Sequence, residues 1–179
     1  MQLRNSLSSK LYYKKLIKPF FIHDLDYAAV SILIFEDNEI LFIKRSNNLP
    51  THKGHIAFPG GKREKKDDSV VGTALRETSE ELLISQSLVS PFGYLDTIDT
   101  VEYKFNVFPI LCNLKVKPSS FNEKEVQNIF YIPIEDLINI KKWQFRGLYS
   151  EDWVFKIEDE ILWGATAKIT RSLFNLDLT

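Results

Sequence analysis

One cysteine in 179 residues leaves no partner for an internal disulfide and too few thiols for a multi-cysteine zinc site. Cys112 stands in the apolar run Phe108-Pro109-Ile110-Leu111-Cys112, where a buried core thiol is expected. So little cysteine suits a reducing cytoplasm. Long apolar runs are missing as well. None approaches the roughly 18–20 residues of a membrane span, and the N-terminal stretch has no apolar core of a secretory signal, so neither membrane insertion nor secretion is expected. Net charge is nearly absent, 23 basic against 24 acidic residues for a formal −1, so the chain lacks the basic footprint that nucleic-acid binding usually leaves. Acids are missing locally: the first is Asp24, preceded by Arg4, Lys10, Lys14, Lys15 and Lys18. Organellar transit peptides share that composition, but Leu3, Leu7 and Leu11 at i+4 spacing predict a basic helix over the extension 1–26. With no internal repeat or low-complexity tract, residues 27–179 read as one domain.

What is present is aromatic and strand-rich: thirteen Phe, seven Tyr and three Trp. Tyr27–Phe35 is apolar without clean alternation, which predicts a strand covered on both faces. Glu36-Asp37-Asn38-Glu39 turns the chain back into a strand Ile40–Ile43. A short strand from His55 to Phe58 should end at Pro59-Gly60-Gly61. Asp68 or Ser69 can cap a helix from Val70 to Leu83. Val89–Asp96 and Tyr103–Leu114 read as strands separated by a turn at Thr97–Thr100. Ile129–Ile132 is a further strand, followed by a short helix that Pro133 starts. Phe145–Tyr149 and Trp153–Ile157 suggest a late hairpin, and Gly164–Phe174 has helical spacing. The sum is a mixed α/β domain with helices packed on a sheet.

The helix carries the chemistry. Glu77, Glu80 and Glu81 stand at i, i+3 and i+4, on one face and adjacent to the apolar stripe of Val71, Ala74, Leu75, Thr78 and Leu82. A solvated face more often mixes charges at i+4. Unrelieved carboxylates repel one another, and hard divalent cations prefer such oxygen ligands.

Gly61 followed by Arg76-Glu77-x-x-Glu80-Glu81 resembles the signature box of the Nudix hydrolase superfamily. Leu41-x-x-x-Arg45-Ser46, Gly54, Phe58-Pro59-Gly60-Gly61, Thr73-Ala74-Leu75-Arg76-Glu77 and Trp163-Gly164-Ala165-Thr166-Ala167 are similar to its coenzyme A pyrophosphatase branch. The resemblance spans roughly residues 27–175 and departs at four places. The loop after Gly61 is one residue longer, with Asp67 or Asp68 where the box has Glu. Thr78 replaces an apolar residue, Leu83 a glycine, and Pro50 a basic residue. Leu83 in a left-handed cap would be strained, so the helix is expected to run on to Ser85.

The resemblance implies an α/β/α sandwich with a mixed sheet and the catalytic helix packed on it. It implies a Mg²⁺ or Mn²⁺ site made by Glu77 and Glu81, with Glu80 next and the Gly60 carbonyl completing it. Arg76 would orient a glutamate. The general base would be Glu125, with Glu123 second, although box glutamates serve in other members. Substrate contacts would come from Arg45, Lys44, Lys53, His52, Lys62 and Gly61, whereas Lys65 and Lys66 read as solvated loop and Trp163 as a packing residue. The implied reaction is hydrolysis of coenzyme A or acyl-CoA to adenosine 3′,5′-bisphosphate and (acyl-)4′-phosphopantetheine. Its rivals are the same chemistry on ADP-ribose, NADH or another nucleoside diphosphate, and a non-catalytic nucleotide sensor. Assembly is left open between monomer and homodimer.

Overall fold

The computed structural model describes residues 10–18, 20, 26–100 and 103–178. The strands are β1 (Lys14–Lys15), β2 (Tyr27–Phe35), β3 (Glu39–Arg45), β4 (Ile56–Ala57), β5 (Gly60–Lys62), β6 (Val89–Tyr94), β7 (Ile98–Thr100), β8 (Tyr103–Leu114), β9 (Val126–Pro133), β10 (Trp143–Phe145), β11 (Trp153–Ile157) and β12 (Glu160–Leu162). The helices are α1 (Val70–Leu82), α2 (Ile134–Leu137) and α3 (Gly164–Leu173). Among the described residues, β1 to β9 form one mixed sheet and β10–β11–β12 a small antiparallel one.

β2 is the spine. It runs parallel to β8 from Tyr27 opposite Asn106 to Phe35 opposite Leu114. Its odd residues Tyr27, Ala29 and Leu33 join the core under α1, and its even residues Ala28, Ile32 and Ile34 join the core on the other face. Burial on both faces is what its unalternating apolar run required. β3 obeys the same alternation, sending Leu41 and Ile43 toward α1 and Ile40 and Phe42 toward α2, α3 and the small sheet.

The β2–β3 hairpin is forked. The two strands pair directly only from Leu33–Phe35 to Glu39–Leu41. Beyond that they part, and the segment 56–62 fills the gap: β4 pairs with β3, β5 pairs with β2, and Ser31 N–H donates to the Pro59 carbonyl at 2.8 Å. The short strand β4 does end before Pro59, as expected from sequence, and what the sequence did not indicate is that Gly60 at once opens β5 on the other side of the fork.

Helix α1 is capped by Ser69, whose hydroxyl accepts from Gly72 N–H at 2.9 Å. It packs on β2 through Val70, Val71, Ala74 and Leu82. Thr78 fits the buried stripe because Ser31 faces it: Thr78 Oγ1 lies 2.7 Å from Ser31 Oγ and 2.8 Å from the Ala74 carbonyl oxygen. The helix stops at Leu82 rather than running on to Ser85, and Leu83 takes the left-handed conformation, φ 51°, with its side chain in solvent.

Other expectations need correction. Thr97–Thr100 is not simply a turn, since Ile98–Thr100 pairs antiparallel with β8. The late hairpin strand lies earlier, at Trp143–Phe145, because residues 146–152 close a loop around buried Asp152, which takes two hydrogen bonds from Arg146 and one from Leu148 N–H. The expected N-terminal helix is not what Lys14 and Lys15 form: they pair with Tyr94 and Gly93 as an edge strand. Leu3 and Leu7 lie outside the described residues. Among the described residues no helix is long and apolar enough to cross a membrane.

Candidate active site

α1 carries Glu77 and Glu81 one turn apart, and the loop before β9 brings Glu125 to them. One carboxylate oxygen from each lies within 4.8 Å of the others. Glu81 is 1% exposed. It accepts from the Gly60 N–H at 2.9 Å, and Arg45 Nη1 stands 3.9 Å away. Burial pushes its carboxyl up to about 8; the Gly60 amide and Arg45 oppose the rise, and Glu77 and Glu125 add to it. Burial also raises Glu77, against the pull of Arg76. Three carboxylates without nitrogen or sulfur donors are a hard-cation ligand set, and a divalent ion would supply the charge compensation that burial withholds. The residues fit such an ion.

Two glycines make this proximity feasible. At Gly60, φ is 153°, and a Cβ would lie 2.4 Å from the Ala29 carbonyl oxygen and 2.6 Å from Val30 Cα. At Gly61 a Cβ would lie 2.6 Å from the Glu77 carboxylate carbon. The fork of the hairpin thus presents bare backbone to both glutamates.

Arg76 is almost buried and fully engaged. Its Nε and Nη2 donate to Asp67 at 2.8 and 3.0 Å, Nη2 also to the Lys62 carbonyl at 3.0 Å, and Nη1 lies 2.9 Å from both Glu77 Oε1 and Glu80 Oε2. Asp67 completes the frame by accepting from Thr73 Oγ1 at 3.0 Å. Burial alone would raise Asp67, but the Arg76 hydrogen bonds, with the Glu64 amide and Thr73, hold its carboxyl below the usual range. Asp67, not Asp68, is therefore the acid that the box places in this loop; Asp68 accepts from Ser69 Oγ instead.

Glu125 is positioned by Asn122. Asn122 Nδ2 donates to Glu125 Oε1 at 2.9 Å, and Asn122 N–H donates to the Glu81 carbonyl at 2.8 Å, tying the loop to the end of α1. Ser46 N–H donates to the Glu125 carbonyl at 2.8 Å.

Comparison with known proteins identifies the family. The NUDIX domain family model matches residues 26–153. The uncharacterized Nudix hydrolase NudL of Yersinia pestis (strain Pestoides F) is 30% identical over 150 residues, covering 80% of this chain and 75% of that protein. The chain belongs to the Nudix family. Nudix enzymes hydrolyse pyrophosphate bonds and generally use divalent metal ions, and this chain is such a hydrolase. Solved structures share the Nudix fold. DR0079 from Deinococcus radiodurans matches with a TM-score of 0.55 at 15% identity, covering 86% of this chain and 88% of that one. A C. elegans Ap4A hydrolase in a binary complex matches with a TM-score of 0.50 at 22% identity, covering 63% and 82%.

Of the expected site residues, the structure brings together Glu77, Glu81, Glu125, Gly60, Gly61, Arg45 and Arg76. Glu80 stays outside. It is half exposed and pairs with Arg76 and, at 3.5 Å, with Lys66, so it does not share the oxygen cluster. Lys44 falls on the opposite face of β3 from Arg45 and is ion-paired to Glu160 on β12. Lys62 is exposed and lends its carbonyl to Arg76. Lys53 is exposed in the turn that precedes β4. His52, at φ 53°, has its ring 5.2 Å from His55, which meets Trp163 edge-on at 4.8 Å. Trp163 packs there, beneath the Arg146 guanidinium at 5.2 Å, as a packing residue should. The positioning roles of Asn122 and Thr73 went unrecognised in the sequence, although Thr73 stands in one of the matching blocks. Asn122 belongs to no motif, and the one available hint was its position three residues before a candidate base.

Proposed function

We propose that this enzyme hydrolyses the pyrophosphate linkage of coenzyme A or acyl-CoA, releasing adenosine 3′,5′-bisphosphate and (acyl-)4′-phosphopantetheine. The observation that carries the reaction class is the convergence of Glu77, Glu81 and Glu125 within 4.8 Å beside Arg45. Glu77 and Glu81 would hold the divalent ion, with Glu125 facing them. When bound, such an ion neutralises phosphate charge and acidifies water. Arg45 binds a phosphate oxygen of the diphosphate from the β3 side. Glu125, held at Oε1 by Asn122, takes the proton of the attacking water at its other oxygen. Water oxygen bonds to phosphorus as the bridging P–O bond breaks, and the second phosphate leaves with the bridging oxygen. Arg76 acts one step removed, by fixing Glu77. The coenzyme A assignment is supported by the block Leu41-x-x-x-Arg45-Ser46, Gly54 and Phe58-Pro59-Gly60-Gly61, whose Arg45 stands at the carboxylates and whose Gly60 and Gly61 form their cradle.

A second reading, ADP-ribose or a similar nucleoside diphosphate, is favoured by one observation. Lys44 is engaged by Glu160 and position 50 is proline, so neither place offers a spare cation to the additional 3′-phosphate of coenzyme A. Incubation with Mg²⁺ or Mn²⁺ and a panel of CoA, acetyl-CoA, ADP-ribose and NADH, followed by product identification, separates the two. Adenosine 3′,5′-bisphosphate as the dominant product is expected. Faster turnover of ADP-ribose than of any CoA would overturn the assignment.

A further inference from the structure

Next along the chain from Arg45 and Glu125 lies an open cleft of about 390 Å³, within the range of small-ligand sites. Its lining adjoins active-site residues along the chain at two points. Ser46 follows Arg45, Val126 follows Glu125, and Arg45 and Val126 are paired across β3 and β9. The lining is aromatic, aliphatic and uncharged polar, with a single acid. Half-buried Phe121 offers a ring, fully buried Val126 an apolar floor, and Asn47, Asn48 and Gln127 offer amides, each both donor and acceptor. Glu123 adds a carboxylate that only accepts when ionised. Among the described residues lining the cleft none carries a positive charge, so it is no place for phosphate. It suits a neutral, planar group with hydrogen-bonding edges.

We propose that this cleft holds the nucleobase of the diphosphate substrate, and that Glu123 selects bases bearing an exocyclic amino group. This rests on the hydrolase reading above, and assigns the base end that the reading leaves open. The base stacks on Phe121. Asparagine and glutamine amides are suited to the paired donor and acceptor on the edge of adenine. The carboxylate of Glu123 accepts from an amino group and repels the carbonyl that replaces it in hypoxanthine. With the base seated here, the sugar points along Ser46 and Val126 and the diphosphate falls against Arg45 and the carboxylates. None of the basic residues near the glycine turn takes part in this recognition.

The test is equilibrium binding, in Mg²⁺, of ADP, IDP and inorganic pyrophosphate, alongside a hydrolysis assay. Phe121→Ala should weaken ADP binding about tenfold while leaving pyrophosphate within about twofold. Glu123→Gln should reduce the preference for ADP over IDP. Asn48→Ala and Gln127→Ala, both at exposed positions, should weaken ADP selectively, and they decide the matter if Phe121→Ala disturbs its loop. ADP affinity unchanged in Phe121→Ala, Asn48→Ala and Gln127→Ala, in a protein that still hydrolyses its substrate, overturns the cleft and leaves the reaction standing. Phe121-dependent ADP binding in a protein that hydrolyses no nucleoside diphosphate upholds the cleft and removes the proposed reaction.

Discussion

Asp67 grips Arg76 with both carboxylate oxygens, at 2.8 and 3.0 Å, and so aims the remaining guanidinium nitrogen at Glu77. Paired, planar recognition of this kind depends on the fork of arginine and on two equivalent acceptors. Asp67→Asn removes one acceptor and the charge. Loss of such a supporting partner typically costs about 10–100-fold in metal affinity or activity. Metal titration and kcat/KM should both fall in that range, and Arg76→Lys should resemble it. Wild-type metal affinity in Asp67→Asn would mean that Arg76 does not orient Glu77.

Glu81→Gln should reduce kcat by about a hundredfold or more, since several kcal/mol of transition-state charge stabilisation depend on the metal site. The fold should survive, because a neutral amide oxygen still accepts from Gly60 N–H. Circular dichroism together with turnover separates the two effects; near-normal turnover would remove Glu81 from the site.

Stability of the metal-free enzyme should depend on pH with a recognisable sign. Folded Glu81 keeps its proton to about 8, against an ordinary 4.5. Between those values the folded state binds more protons than the unfolded one, so this group's contribution is fully present below 4.5 and is lost as pH rises toward 8. Asp67, whose pKa is lowered, acts in the opposite sense and loses its contribution as pH falls below its ordinary 3.8. In EDTA, Tm should drop from pH 5 to pH 8, and Glu81→Gln should flatten that drop. An identical slope in the variant would contradict the buried carboxyl.

Glu125→Gln should lower kcat by about a hundredfold, the lower end for a positioned general base. Metal affinity should suffer less than in Glu81→Gln, because Glu77 and Glu81 remain. The acidic limb of the pH–rate profile should flatten, and an unaltered profile would remove Glu125 as the base.

Leu83→Gly should stabilise the protein by about 1 kcal/mol, because the left-handed conformation costs a non-glycine residue about 1–2 kcal/mol and the exposed side chain loses little packing. A raised Tm with unchanged turnover is the expected outcome. A lowered Tm would show that the leucine side chain is needed where it stands.

The spine of the fold was readable where local pattern and burial agree. Tyr27–Phe35 and Tyr103–Leu114 are long apolar runs that form strands, and Val70–Leu82 has the helical period. Ile98–Thr100 was hidden because three residues hold strand geometry only through their partners on β8. The fork was hidden for a related reason: Pro59-Gly60-Gly61 has turn chemistry, and nothing local says that the chain resumes against a different strand. In the site, Glu77, Glu81 and Arg76 followed from helical spacing and resemblance. The i+3 spacing of Glu80 puts it on the same broad face, but one residue's rotation sends it to Arg76 and Lys66 instead. Strand alternation separates Lys44 from Arg45, and it decides which of two adjacent cations reaches the carboxylates.

The forked hairpin has an evolutionary corollary. Residues 46–55 leave β3 at Arg45 and return to it at Ile56, opposite Lys44, with Arg45 N–H bonded to the His55 carbonyl. Both ends of that excursion are stapled to the same strand, while Glu77 and Glu81 are held by the glycines beyond it and by α1. Beyond Ser46, whose N–H holds the Glu125 carbonyl, the excursion is an exchangeable cassette: it can be rewritten for a new substrate without re-aiming Glu77 or Glu81.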